Sequence, residues 1–152
     1  MNTKISNSIQ NNEYAKIIDT IPGIGKYGAL SIAAEIGNVD RFPREDNIFS
    51  YAGLVPRIYQ SRSRKKGHIT NGNSFLKYML VECVQIHMRL EPHSEISEAY
   101  RRISLRSGSN NAKIAAARHL LRMIYYMLKR RMEYAVMIDG TGAEKIPAAM
   151  QP

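Results

Sequence analysis

Two serines lie among five cations in the middle of the chain. Ser61 and Ser63 alternate with basic residues, and the cations of this segment are Arg57, Arg62, Arg64, Lys65 and Lys66. Cations this close repel one another unless phosphate groups neutralise them, which suits the segment to a nucleic-acid backbone. Cations can also stabilise the alkoxide of a serine nucleophile and hold phosphoryl oxygens in a transition state. Composition does not separate Ser61 from Ser63, and a solvated basic loop without chemistry is the alternative interpretation.

The basic character of the chain is confined to its second part. The 152 residues carry a net charge of +9. Residues 1–56 contain five Lys and Arg against six Asp and Glu, whereas residues 57–135 contain sixteen against five. Such asymmetry indicates binding to nucleic acid or to an anionic membrane surface. No apolar run reaches the ~18 to 20 residues that span a bilayer, and the amino terminus lacks a signal peptide, so we expect a cytoplasmic protein without membrane insertion.

Other classes of site lack their sequence patterns. The four histidines stand in no zinc-binding spacing, and there is no Walker loop and no nucleophile elbow. We therefore expect this chain to bind no metal and no cofactor by itself. Cys83 is the only cysteine, which rules out an intramolecular disulfide and suits a reducing cytoplasm. Cys83 is predicted to be a buried hydrophobe, and His87, on an apolar helix face, a hydrogen-bonded core histidine.

A glycine-rich turn near the amino terminus is a second candidate for phosphate contact. Ile21-Pro-Gly-Ile-Gly25 separates two helical patterns, and the whole unit, residues 14–37, resembles a helix-hairpin-helix element. Gly23 and Gly25 would let the backbone approach a phosphate, and the first amides of the second helix favour an anion. Lys26 would add a positive charge. The alternative interpretation is a tight turn between helices.

Helical periodicity predicts a mostly α domain over residues 13–136. Helices are expected from about Glu13 to Ile21, up to Gly37, at 45–52, from a cap at Asn71 or Asn73 to Leu90, at 94–106 and at 112–132. The last three are the longer helices that should support the basic loop. Residues 55–60 and 67–70 could form a short β-hairpin around that loop. Residues 1–12 are expected to be a flexible lead-in and residues 137–152 a flexible tail.

Several separated blocks of sequence resemble one known family. In chain order they are Ile-Pro-Gly-Ile-Gly (21–25), Glu-Ile-Gly (35–37), Arg-Phe (41–42), Tyr-Ala-Gly-Leu-Val-Pro (51–56), Gln-Ser (60–61), Gly-His-Ile-Thr (67–70), Gly-Asn (72–73) and Asn-Ala-Lys-Ile-Ala-Ala-Ala-Arg (111–118). Together they resemble the carboxy-terminal transposase domain of the insertion-sequence 110 family (IS116/IS110/IS902 type) over residues 15–132.

The resemblance implies a DNA recombinase whose serine attacks a DNA phosphate and forms a covalent phosphoserine link. By motif position that serine is Ser61. Members of the family also carry an amino-terminal RNase-H-like domain that binds divalent metal, and they select DNA with a bridge-type non-coding RNA. We expect a homodimer, because such recombinases pair DNA ends.

The sequence departs from the family pattern in three places. Arg62 replaces a small glycine, Asn71 replaces a lysine, and the segment before Gly72 is one residue short. In addition, no RNase-H-like domain precedes residue 13, so we expect complete DNA exchange only if a partner polypeptide supplies that domain. The predicted function is therefore the DNA-binding, serine-bearing domain of a transposase. The alternatives are a non-catalytic nucleic-acid-binding fragment or accessory module, and a structural domain whose basic face meets other proteins.

Overall fold

The structure, a computed structural model, describes residues 2–55 and 72–139. Within these two ranges the chain forms eight α-helices and no strand. The helices are α1 Asn2–Gln10, α2 Glu13–Asp19, α3 Lys26–Ile36, α4 Glu45–Ala52, α5 Ser74–Leu90, α6 Glu95–Ser107, α7 Ser109–Arg130 and α8 Tyr134–Asp139. A single 3-10 turn, Val39–Arg41, joins α3 to α4. The predicted mostly α class is confirmed; the basic loop and the proposed β-hairpin fall almost entirely in residues 56–71, outside the described residues.

The start of α5 and the bounds of α4 follow from local capping chemistry. Helix α4 spans the predicted residues, begins with the acidic pair Glu45 and Asp46, and ends where Gly53 adopts a left-handed conformation with φ of 72°. Helix α5 begins after Asn73, whose side-chain oxygen accepts a hydrogen bond from Leu76 N at 3.0 Å. Of the two expected caps, Asn73 is therefore the one observed.

The three longer helices α5, α6 and α7 pack together with α7 at their centre, whereas their support of the basic loop stays a prediction because that loop lies outside the described residues. Helix α7 packs against α4, α5 and α6, and α5 also packs against α3. Fully buried side chains at this centre include Leu76, Leu80, Leu120, Leu121 and Ile124. Helix α7 begins at Ser109 rather than Ala112, because Gly108 alone, with φ of 88°, makes the break from α6. No helix in residues 2–55 or 72–139 is long and apolar enough to cross a membrane.

Both ends of the described chain form helices that the sequence did not predict. Residues 2–10, expected to be a flexible lead-in, form α1, which packs on α2 and α3 and buries Ile9. Its apolar face consists of only Ile5 and Ile9, four residues apart, which is too little for a periodic signal in a polar segment. Similarly, α8 extends to Asp139 and buries Met137 within the segment expected to be a flexible tail. Residues 140–152 lie outside the described residues.

Candidate functional site

The structure describes three of the nine residues predicted to carry function. Ser61 and its cations Arg57, Arg62, Arg64, Lys65 and Lys66 lie in residues 56–71, outside the described residues, as does Ser63. Gly23, Gly25 and Lys26 are described. What the structure describes of this region is therefore the residues that precede and follow the basic segment.

Those two ends lie side by side. Asn73 N donates a hydrogen bond to Tyr51 O at 2.6 Å, which joins the start of α5 to the end of α4. Gly72 has φ of 67°, and a Cβ there would overlap the backbone nitrogen of Gly53 and lie 2.8 Å from its Cα. A glycine is required at position 72 for both reasons, because a side chain fits neither the backbone angle nor the space. We call this contact region, formed by residues 51–54 and 72–73, the loop base.

A polar network fixes the loop base to the carboxyl end of α3. The side-chain amide of Asn73 donates to Glu35 Oε2 at 2.6 Å and lies 3.2 Å from the hydroxyl of Tyr51. The Tyr51 hydroxyl in turn donates to the backbone oxygen of Glu35 at 2.9 Å. Asn73 therefore uses its oxygen to cap α5 and its nitrogen to connect α3, α4 and α5. These contacts fix the position of Asn73, which closely follows the end of the basic segment.

Arg41 belongs to the same network at the carboxyl end of α3. Its guanidinium lies over the rings of Phe42 and Tyr51, 4.5 Å and 4.6 Å from their centroids. It also donates from Nε to Ile36 O at 2.9 Å and from Nη2 to Glu35 O at 3.1 Å. These bonds satisfy carbonyls at the end of α3 that have no partner within the helix. The arginine thus orients the tyrosine that anchors the loop base.

Arg118 connects α7 to the residue at which the described chain approaches the basic segment. Its Nε donates to the backbone oxygen of Leu54 at 3.0 Å. Burial lowers the pKa of Arg118 from its ordinary value, with a smaller effect from the charge of Arg122, although an arginine remains a cation at neutral pH. Leu54 itself is fully buried. The residues before the basic segment, at Leu54, and those after it, at Asn73, are therefore both fixed by long-range contacts.

Several of the blocks of sequence behind the family resemblance meet around the loop base. Residues 35–37, 41–42, 51–54, 72–73 and Arg118 contribute to it, although they are spread over more than half of the chain. Sequence reasoning did not select Glu35, Arg41, Tyr51, Asn73 or Arg118 as site residues. The signal that could have found them was their position within those blocks, since composition and periodicity do not mark long-range polar contacts.

The glycine-rich turn lies at the other end of α3, and its two glycines have different explanations. Gly23 has φ of 99°, and a Cβ there would overlap the backbone nitrogen of His87 and lie 2.6 Å from its Cα. Packing on α5 therefore accounts for Gly23. Gly25 has φ of −75°, and a Cβ would meet nothing within 4 Å. Nothing in the described fold requires glycine at position 25, which is exposed together with Lys26 at the start of α3.

His87 and Cys83 are core residues, as predicted. His87 is fully buried, with Nδ1 2.7 Å from Pro22 O and Nε2 3.0 Å from Ser94 Oγ. Because a carbonyl can only accept, Nδ1 carries the proton and Nε2 is left to accept from the serine. Burial lowers the pKa of His87, while the Pro22 hydrogen bond and Glu91 act in the opposite direction. Burial likewise raises the pKa of Cys83 to about 11, with a smaller effect from Glu82.

Comparison with known proteins gives consistent matches. A family model described as "Transposase IS116/IS110/IS902 family" matches residues 15–101. The chain is 28% identical over 127 residues to the transposase for insertion sequence element IS1111A of Coxiella burnetii, covering 81% of this chain and 35% of the relative. It is 30% identical over 126 residues to the transposase for insertion sequence element IS1328 of Yersinia enterocolitica, covering 80% and 38%.

A shorter part of the chain is similar to a third protein. It is 42% identical over 50 residues to the pilin gene-inverting protein of Moraxella bovis, covering 33% of this chain and 16% of the relative. The chain thus spans little more than a third of the length of the two transposases it matches. No solved structure matches it significantly.

Proposed function

The chain belongs to the IS116/IS110/IS902 transposase family, and on this premise we propose that it is the DNA-binding, serine-bearing domain of a transposase. We place it at the carboxy-terminal side of the complete protein. The observation that carries the proposal is the loop base, where separated family blocks meet around both ends of the basic segment 56–71. A fold that fixes both ends of one segment so firmly suits a segment that must present groups to a ligand.

Within this proposal Ser61 is the nucleophile. Its Oγ attacks a DNA phosphate, an Oγ–P bond forms, and the P–O bond to one deoxyribose breaks. The serine hydroxyl loses its proton and the released deoxyribose oxygen takes up one proton to become a hydroxyl, so the exchange of one phosphoester for another balances. Arg57, Arg62, Arg64, Lys65 and Lys66 would hold the phosphate oxygens, whose charge increases in the transition state. Their density along the chain supports this role.

The amino end of α3 is proposed as a second backbone contact with DNA. Gly25 and Lys26 are exposed there, and Gly25 has open space where a side chain would stand. A helix start also favours an anion. The rise of an α-helix places Gly25 about 15 Å along α3 from Glu35 at the loop base. Gly23 is a weaker candidate for direct contact, because its packing against His87 explains it.

The other half of the reaction is assigned to further components. An RNase-H-like domain would supply a divalent metal, a bridge-type non-coding RNA would select the DNA, and two copies of the chain would act together. No group of three His, Cys, Asp or Glu that could hold a metal occurs in residues 2–55 and 72–139. We therefore assign no metal to the described residues and route no step through one.

The proposal is tested by trapping the covalent intermediate. Wild type, Ser61→Ala and the matched control Ser63→Ala are mixed with a labelled suicide DNA substrate in the presence of Mg²⁺, with a separately supplied RNase-H-like domain of a relative in parallel reactions. We expect a denaturant-resistant protein–DNA band with wild type and Ser63→Ala only. A band that persists in Ser61→Ala would disprove the assignment of the nucleophile. Salt-sensitive binding without any band in either reaction would indicate a non-catalytic DNA-binding module.

A further inference from the structure

A group of cations lies on α6 and α7, and one of them, Arg118, contacts the loop base. Arg118 and Arg122 are four residues apart on α7, His119 lies between them in sequence, and Arg102 of α6 is close enough for its charge to act on His119. Like charges at this helical spacing destabilise a helix unless something offsets their repulsion. We call Arg102, Arg118, His119 and Arg122 the arginine cluster.

The positive charge of Arg122 is largely buried, and few groups offset it. Its side chain is only 18% exposed and lies over the ring of Phe49, 5.3 Å from the centroid. Its Nε is buried and has no hydrogen-bond partner among the described residues. Nε forms a long ion pair with Glu45 Oε2 at 3.5 Å, and the same oxygen accepts a hydrogen bond from the Tyr126 hydroxyl at 3.0 Å. A buried donor without a hydrogen-bond acceptor is costly, so the charge of Arg122 is only partly offset by the described residues.

Arg118 contacts a residue close to the start of the basic segment and uses one of its hydrogen-bond donors to do so. Among the described residues its hydrogen bonding is limited to the contact from Nε to Leu54 O. The two terminal nitrogens of a guanidinium form a fork that matches the oxygens of a phosphate. Leu54 stands two residues before the basic segment begins. A group held by Arg118 would therefore be bound where that segment leaves the fold.

We propose that Arg118 and Arg122 bind a backbone phosphate of nucleic acid at the loop base, beside the serine-bearing segment. The cluster contains three arginines, and the one ion pair shown for it joins Arg122 to Glu45, so an excess of positive charge remains that a phosphate would offset. This inference rests on the proposed function, because it names residues that hold DNA next to Ser61. Arg102 contributes through its charge, and His119, placed among the three cations, is kept neutral.

The first test measures DNA binding by fluorescence anisotropy with a labelled 30-base-pair duplex at several salt concentrations. Arg118→Gln and Arg122→Gln are compared with wild type and with Arg106→Gln, which removes one exposed charge from α6 outside the cluster. We expect each cluster variant to weaken binding about tenfold and to reduce the slope of log K against log salt by about one. Arg106→Gln should leave the slope unchanged. Equal slopes in all four proteins would overturn the inference.

The second test separates direct contact from a structural role and does not depend on the variants folding. The Nε–Hε signals of the arginines are followed in ¹H–¹⁵N spectra of wild type as inorganic phosphate is added at constant ionic strength. Signals of Arg118 and Arg122 should shift and that of Arg106 should not. If neither cluster signal moves with phosphate or with the duplex while DNA still binds, the arginine cluster is not the site and the proposed function stands. If wild type binds no DNA, the proposed function itself fails.

Discussion

The side-chain amide of Asn73 donates a 2.6 Å hydrogen bond to the carboxylate of Glu35, 38 residues earlier in the chain. The same asparagine caps α5 through its other side-chain atom. One residue therefore sets the start of a central helix and fixes that start to the end of α3. The basic segment 56–71 ends immediately before this point, so its position depends on the pair.

Replacing Asn73 with alanine should lower the free energy of unfolding by about 2 kcal/mol, since both the helix cap and the bond to Glu35 are lost. Asn73→Asp keeps a capping oxygen but brings a second negative charge towards Glu35, so it should remain destabilised at neutral pH. Urea unfolding measures both changes. Asn111→Ala, which removes an exposed side-chain bond to Ser107 O, is the control and should change stability by less than about 0.5 kcal/mol.

The two glycines of the turn before α3 should respond differently to alanine. Gly23→Ala must cost at least about 2 kcal/mol, because φ is 99° and the new methyl group would overlap the backbone of His87. Gly25→Ala should leave thermal stability almost unchanged, because φ is −75° and the space is open. If Gly25 contacts a phosphate, the second variant should still bind DNA more weakly than wild type. Normal DNA affinity in a fully folded Gly25→Ala protein would remove the turn from the binding surface.

His119 should make the protein less stable in mild acid. Burial is the main cause that lowers its pKa from an ordinary 6.5 to about 4, and the charges of Arg122, Arg118 and Arg102 add to the shift. Between these values the unfolded chain binds a proton at His119 and the folded chain does not, so stability decreases as pH falls from about 6.5 to 4. The loss is at most about 3 kcal/mol. Urea unfolding at pH 7 and 4.5 should show a smaller difference for His119→Gln than for wild type.

An identical pH response in the two proteins would contradict the pKa assigned to His119. His87→Gln is a useful comparison, because the pKa of His87 is also lowered by burial but no arginine of the cluster acts on it. The two histidines therefore report on different regions. Only the response at His119 should diminish when a phosphate ligand is added.

Cys83 should be almost inert towards thiol reagents in the folded protein. Its pKa of about 11 leaves roughly 100-fold less thiolate at pH 8 than an exposed cysteine, and the side chain is 5% exposed. Labelling by iodoacetamide should therefore follow unfolding and accelerate in urea in proportion to the unfolded fraction. Rapid labelling in native buffer would show that α3 and α5 separate readily at this position.

The sequence predicted those parts of the molecule that local chemistry controls. The bounds of α4 followed from its apolar face and from Gly53, and His87 was assigned to the core from its position on an apolar face. Helix α1 was missed, because two isoleucines in a polar segment gain their stability from packing on α2 and α3 and not from any propensity of their own. Whether such a short helix forms depends on tertiary contacts, and these contacts produce no periodic pattern in the sequence.

The candidate site likewise contains residues that sequence can identify and residues that only the fold brings together. The cations around Ser61 are neighbours in sequence and could be recognised directly. The contacts from Tyr51 to Glu35 and from Arg118 to Leu54 join residues 16 and 64 positions apart, and only the fold brings them together. Gly23 has a second explanation that sequence alone did not offer, since it packs against the backbone of His87, and its contact with a phosphate stays a prediction.

Fixing both ends of the basic segment at the loop base has a consequence for how this fold can change. The entropy of closing a loop grows only with the logarithm of its length, so doubling the segment would cost about 0.6 kcal/mol. Gly72 and Asn73 would still meet Gly53 and Tyr51, whatever lies between. Insertions, deletions and exchanges within residues 56–71 should thus leave the helices folded, which makes this segment the natural place for evolution or protein engineering to alter specificity.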